Sequence, residues 1–290
     1  MNHQSDSRTS EQPAAADNDQ ITESDSAAAD VAQDIEQALP IQEHEEEETV
    51  NGRSVRRKGI FLLPNLLTTG ALFSGFYAIL AGMNGHFEVA AIAIFVAMVF
   101  DGLDGRVARL TNTQSAFGVE YDSLSDMVSF GVAPAVVSFS WGLNQLGKVG
   151  WAIAFIYVSC AALRLARFNT QVGTVDSRYF MGLASPPAAA LVAAMVWAGH
   201  DTEIGVGLAL VAGIITALAG VLMVLNVRYQ SFKGLDLRGR VPFVMILVAV
   251  FVFVVVSIDP PKILLLMGIA YAASGPITHI VQRLRKQGGG

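Results

Sequence analysis

The chain has 290 residues, of which 52% are hydrophobic and only 15% charged. That is more apolar than a water-soluble domain of this size needs, and nucleic acid is not among the expected partners. The formal charge of −6 averages two unlike parts: residues 1–50 hold 14 of the 25 acids and a single base, Arg8, whereas the remaining 240 residues hold 11 acids and 18 bases.

The first 52 residues are rich in Asp, Glu, Gln, Ser and Ala and have no aromatic side chain. They have little to bury, so they read as a disordered acidic tail. They lack the basic start and apolar run of a signal peptide. Residues 53–286 then form one membrane domain, followed by a short tail at 287–290. The one cysteine, Cys160, lies within an apolar segment and reads as a small buried apolar residue.

Eight apolar segments follow: 59–83, 87–109, 118–142, 148–169, 184–200, 204–227, 241–258 and 262–282. A membrane-spanning helix needs about 20 residues, with a range of about 17–25, so the fifth and seventh are short. The expected fold is all-α: a polytopic membrane helix bundle of about eight transmembrane helices. Alternating spans from a cytoplasmic N-terminus put Arg53, Arg56, Arg57, Lys58, Arg106, Arg109, Arg164, Arg167, Arg178, Arg228, Lys233, Arg238, Arg240, Arg283, Arg285 and Lys286 on one side. Only Lys148 and Lys262 fall on the other. The positive-inside rule expects this asymmetry, with both termini in the cytoplasm.

The segment DGLDGRVARLTNTQSAFGVEYDSLSD, residues 101–126, breaks the apolar pattern. Asp101 and Asp104 are three apart and share a face of the second helix; Asp122 and Asp126 are four apart and share a face of the third. A short polar loop joins the helices, so the four carboxylates can face one small volume at the cytoplasmic mouth. Carboxylates about 4 Å apart repel by about 4 kcal/mol per pair at an effective dielectric near 20. An all-oxygen donor set with no nearby His or Cys points to Mg²⁺ or Mn²⁺, one ion or a pair. The alternative is a set of interfacial aspartates capping helix ends. Gly102, Gly105 and Gly118 lie among the acids, where each disfavours a helix by about 1 kcal/mol relative to Ala. They read as space for a ligand, with close helix packing the other explanation. Arg109 is four residues past Gly105 on the same face, where a guanidinium can grip a phosphate in bidentate fashion.

Asp101-xx-Asp104-Gly105-xx-Ala108-Arg109, eight residues, then Gly118-xxx-Asp122-xxx-Asp126 resembles the signature of the CDP-alcohol phosphatidyltransferases. The stretches GIFLLPNLLTTGALFSGFYAI, AALRLARFNTQ and YFMGLASPPAAA look like those of the bacterial membrane-integral phosphatidylserine synthases. The resemblance implies transfer of a phosphatidyl group from CDP-diacylglycerol to the hydroxyl of L-serine, with release of CMP. It implies Asp101, Asp104, Asp122 and Asp126 as ligands of two Mg²⁺ or Mn²⁺ ions, Asp126 also serving as the catalytic base. Pro64, Asn65, Thr68, Gly105, Arg109, Ser115 and Gly118 would contact the nucleotide of the CDP-lipid. The expected setting is a bacterial inner membrane, with the site facing the cytoplasm, membrane lipids around it and a homodimer as a further partner.

Serine carries a carboxylate, which wants a cation. Arg164, Arg167 and Asn169, at the cytoplasmic end of the fourth helix, supply two guanidiniums and an amide. Lipid anchoring is the competing use of those arginines. Two rival readings stay open at this level. One is another acceptor, glycerol 3-phosphate or inositol phosphate. The other is a cation transporter, although its acids belong nearer the midplane.

Overall fold

The structure is a computed structural model that describes residues 47–50, 53–56, 62–111, 113, 115–171, 179–230 and 243–287. The tail reading lies outside the described residues over 1–46, 51–52 and 288–290, as do Arg57, Lys58, Arg178, Lys233, Arg238 and Arg240 of the charge asymmetry. The chain divides into two units, Met1–Gly59 and Ile60–Gly290. In the first, β1 (Glu47–Val50) pairs antiparallel with β2 (Arg53–Arg56), with Glu47 opposite Arg56.

The second unit is helical: α1 Leu62–Met83, α2 Phe87–Thr111, α3 Ala116–Trp141, α4 Lys148–Gln171, α5 Ser185–Ala198, α6 Val206–Val224, α7 Phe243–Ile258 and α8 Pro260–Gln287. These helices coincide with the eight apolar segments of the sequence. Among the described residues, four are long and apolar enough to cross a membrane: Leu63–Met83, Ala116–Trp141, Lys148–Thr170 and Val206–Val224. The α2 helix is long but carries Asp101, Asp104, Arg106 and Arg109 in its last turns, and α5 has only 14 residues.

The protein is a helical membrane protein, and its packing shows why. Its interfaces are built from small side chains, with Ala78, Ala90, Ala91, Ala97, Ala188 and Ala219 fully buried. Small residues let helix backbones approach closely where lipid offers no hydrophobic contrast. Large apolar side chains such as Phe73, Phe76, Trp151, Phe155 and Phe253 stand outward, as suits a surface facing acyl chains rather than water. The α1 helix packs along both α2 and α3, α4 along α6, and α5 against α2 and α8. Short α5 is the most enclosed, with Ala188, Ala189, Val192, Ala194 and Val196 all at zero exposure. A helix apolar all round belongs in the interior.

Two local features position the site. Gly75 of α1 lies so close to Ser129 of α3 that any Cβ would collide with it, and Ser129 Oγ donates to the Ala71 carbonyl at 3.0 Å. In the middle of α3, the α-helix over Ala116–Asp126 opens into a π turn, Met127–Val132, then resumes at Ala133. Pro134 lies just past this turn and disfavours an unbroken α-helix here. It has no N–H to offer Phe130, four residues earlier, and its ring crowds that carbonyl. The Ala133 N–H bonds instead to Val128, five residues back. The buried Tyr157 hydroxyl of α4 donates to the orphaned Phe130 carbonyl at 3.1 Å.

Beyond α4, β3 (Tyr179–Met181) pairs antiparallel with β4 (Arg228–Gln230). Gly182 follows with φ 83°, and a Cβ there would collide with the Met223 carbonyl. Only Gly accepts both that conformation and that approach without strain. This strap leads directly into Ser185 at the start of α5.

Candidate active site

Asp101 in α2 and Asp122 and Asp126 in α3 each present a carboxylate oxygen within 4.8 Å of the other two. Spacing alone placed each pair on one helix face, and the fold brings those faces together. Asp104 is not in this group of three. It is only 5% exposed, and its Oδ2 accepts a hydrogen bond from Thr68 Oγ1 at 2.7 Å. It still acts electrostatically on both Asp101 and Asp122. Among the described residues, no Lys, Arg or His forms an ion pair with any of the four.

Three carboxylates this close repel by about 3–4 kcal/mol per pair at an effective dielectric near 20. No paired side-chain cation among the described residues offsets that repulsion. The donors are all hard oxygens, which suit a divalent cation of the Mg²⁺ or Mn²⁺ type. The residues present therefore fit a metal centre.

The remaining residues expected at the nucleotide surround this cluster. The carbonyl of buried Pro64 faces Thr68 Oγ1 at 3.1 Å. Thr68 is thus tied into the protein, and its carbonyl also accepts from Ser125 Oγ at 3.2 Å. Ser115 caps the start of α3 by accepting the Gly118 N–H at 3.0 Å, the usual service of an N-cap serine. A Cβ on Gly118 would sit 3.1 Å from that Oγ and 3.6 Å from Asn65 Oδ1, so Asn65, Ser115 and Gly118 meet. The structure adds Thr69 and Tyr121, whose hydroxyls are 2.9 Å apart. No spacing rule would have paired these two across 52 residues.

Arg109 Nε donates to the Gly105 carbonyl at 2.7 Å on the exposed face of α2, leaving the outer guanidinium nitrogens turned to the surface. A Cβ at Gly102 or Gly105 would meet nothing within 4 Å. These glycines therefore do not serve helix packing; they leave open space beside the acids. Gly105→Ala is accordingly expected to leave the thermal midpoint unchanged or slightly higher, since Ala favours a helix by about 1 kcal/mol. The same substitution is expected to weaken binding of any ligand that fills this space, read as a raised KM. The pair of measurements is a thermal melt and steady-state kinetics; a normal KM would mean that no ligand enters this space.

The two arginines of α4 part company. Arg164 points inward: its Nη1 donates to the buried Ser185 Oγ at 2.8 Å, and it acts electrostatically on Asp126. Its Nε is buried without a hydrogen-bond partner. A buried donor left unmade costs about 1–3 kcal/mol. Arg167 instead donates to Asn226 Oδ1 at 2.7 Å and reaches the Val224 carbonyl at 3.5 Å, closing the end of α6. Asn169 is engaged with α3, donating to Glu120 Oε2 at 3.3 Å and accepting from Ser123 Oγ at 3.2 Å. Of the three residues expected to hold the acceptor, the fold sends only Arg164 toward the acids.

The family model for CDP-alcohol phosphatidyltransferase matches residues 61–227, which include all four aspartates. The chain belongs to that family, whose members transfer a phosphatidyl group. A CDP-diacylglycerol–serine O-phosphatidyltransferase of Helicobacter pylori is 39% identical over 191 residues, covering 65% of this chain and 80% of its own. One from Saccharomyces cerevisiae is 44% identical over 139 residues, 43% of this chain and 50% of its own. An archaetidylserine synthase of Methanothermobacter thermautotrophicus is 34% identical over 175 residues, 60% of this chain and 71% of its own.

Proposed function

We propose that the protein transfers the phosphatidyl group of CDP-diacylglycerol to the hydroxyl of L-serine, yielding phosphatidylserine and CMP. The observation that carries the acceptor is Arg164, held by the buried Ser185 and with a buried Nε that has no hydrogen-bond partner. A carboxylate is what such a guanidinium takes best. A phosphorylated acceptor would call for a denser set of cations, whereas Arg167 is turned to Asn226. The names of the relatives point the same way.

Asp101, Asp104, Asp122 and Asp126 are assigned as ligands of two Mg²⁺ or Mn²⁺ ions. When bound, such ions neutralise pyrophosphate oxygens and stabilise a departing phosphate. The chain's own residues do the rest. Arg109 grips a phosphate at the open face of α2, and Gly105 admits it. Asn65, Ser115, Gly118 and the Pro64–Thr68 turn border the nucleotide. Thr68 also steadies Asp104 through its hydrogen bond. Arg164 holds the serine carboxylate, which brings the serine hydroxyl toward Asp126. Asp126 accepts the hydroxyl proton as the serine oxygen attacks the lipid-bearing phosphorus and the P–O bond to CMP breaks, CMP leaving, the kind of assistance a weak nucleophile requires.

The wider setting belongs to the same proposal. All eight helices cross the membrane, both termini are cytoplasmic, and the site opens on the cytoplasmic side of a bacterial inner membrane. This gives soluble serine and the lipid separate routes to one centre. A homodimer is compatible with this arrangement. Residues 1–52 are assigned as an acidic tail and residues 53–286 as the catalytic membrane domain. Removing residues 1–46 is expected to leave specific activity within about a factor of two; assay of the shortened protein against the full chain checks this.

The direct test supplies the purified protein with CDP-diacylglycerol and a panel of alcohols and measures CMP. Serine is expected to be the one that drives release. Release with glycerol 3-phosphate or inositol phosphate but not with serine would overturn the acceptor assignment.

A further inference from the structure

We infer that the π turn of α3 sets the rotation of Asp122 and Asp126 against Asp101, and that Tyr157, acting through that turn, is a positioning residue for the transfer reaction. The proposal rests on the acid cluster being the reacting centre.

The turn begins at Met127, immediately after Asp126. A π turn holds one residue more than an α turn between the acids and the helix that follows. Straightening it would swing Asp122 and Asp126 by about 100° about the helix axis and shift them by about 1.5 Å relative to the buried Ala133–Trp141 half. They now lie within 4.8 Å of Asp101. A swing of that size would carry them off the face that meets α2.

The turn is held from two sides. From α1, Ala71 accepts the Ser129 hydroxyl at 3.0 Å, and Gly75 lets the backbones close up there. From α4, the Tyr157 hydroxyl occupies the Phe130 carbonyl at 3.1 Å. Both Tyr157 and Phe130 are fully buried, so no water can replace that bond. Pro134 removes the α-helical alternative, because it has no N–H to give Phe130. Proline prevents the straight helix, and tyrosine satisfies the group that proline leaves bare.

This division of labour allows a test. In P134A/Y157F, position 134 regains an N–H for the Phe130 carbonyl while the tyrosine hydroxyl is gone. The hydrogen-bond count is kept and the register is not. The full chain in detergent micelles would be followed by thermal melting, by Mn²⁺ affinity from the paramagnetic signal of unbound ion, and by turnover.

The double variant is expected to melt within about 4 °C of wild type. Its Mn²⁺ affinity should fall by about tenfold or more, and its turnover by about a hundredfold. A residue with only a structural role would restore all three together. A stable double variant with wild-type Mn²⁺ affinity and turnover overturns the proposal. Should the double variant not fold, Y157F alone decides: wild-type Mn²⁺ affinity and turnover in it overturn the proposal, and a loss of both with the fold retained supports it. Asp122→Asn serves as the reference. If it binds Mn²⁺ as wild type does, the acid-cluster reading itself has failed, an outcome separate from loss of register.

Discussion

Asp122→Asn is expected to lower turnover by about three orders of magnitude or more, the scale on which preorganised electrostatic stabilisation is lost. The stability of the same variant should move in opposite directions with and without metal. In a chelator, three carboxylate oxygens within 4.8 Å repel one another, and replacing one charge removes two repulsions of about 3–4 kcal/mol each at an effective dielectric near 20. Asp122→Asn should then melt above wild type. With Mg²⁺ or Mn²⁺ present the order should reverse, because bound ion stabilises the wild type by an amount that grows with the logarithm of free ion concentration over Kd. Thermal melts of both proteins in EDTA and in excess metal check this, together with the loss of wild-type turnover in EDTA and its return on adding metal. Wild-type activity that survives chelation would remove the metal from the mechanism. Identical melting orders in the two conditions would mean that the acids do not bind metal together.

Arg164→Ala is expected to raise KM for serine by roughly 10–150-fold, since a hydrogen bond to a charged group contributes about 1.5–3 kcal/mol. KM for CDP-diacylglycerol should barely move. Arg164→Lys should recover only part of the loss, because an ammonium cannot reproduce a planar two-donor grip. Arg167→Ala provides the contrast. Its partners are Asn226 and the Val224 carbonyl, so its loss should lower the melting temperature and leave serine KM near wild type. Steady-state kinetics in mixed micelles, varying each substrate in turn, separate the cases. An unchanged serine KM in Arg164→Ala would place the carboxylate elsewhere, and a raised one in Arg167→Ala would return that residue to the acceptor site.

These predictions differ in where they come from. The acids were legible because a helix repeats every 3.6 residues: separations of three and four put Asp101 with Asp104 and Asp122 with Asp126, whatever the rest of the chain does. The eight helices were legible for a similar reason. Each is a mainly apolar stretch bounded by charge, Gly or Pro, and α2, for example, runs Phe87–Thr111 where the segment 87–109 was expected. A backbone buried in lipid has no option but to satisfy itself helically, so hydrophobicity and length settle the local structure.

The rest depended on partners far away in the chain. By spacing, Arg164 and Arg167 share a helix face and look equivalent. They part because Arg164 meets Ser185, 21 residues on, and Arg167 meets Asn226, 59 residues on. Thr68 reads as a ligand contact from sequence, and only the fold shows that Asp104, 36 residues later, accepts its hydroxyl. The three-residue strands Tyr179–Met181 and Arg228–Gln230 are too short for any period to show, and they exist because each completes the other's hydrogen bonds. Pro134 announces a disturbance in α3, but a kink, a break and a π turn all relieve a proline. Tyr157, 27 residues from the carbonyl it satisfies, selects among them, and no local pattern can encode a choice made by a side chain on another helix.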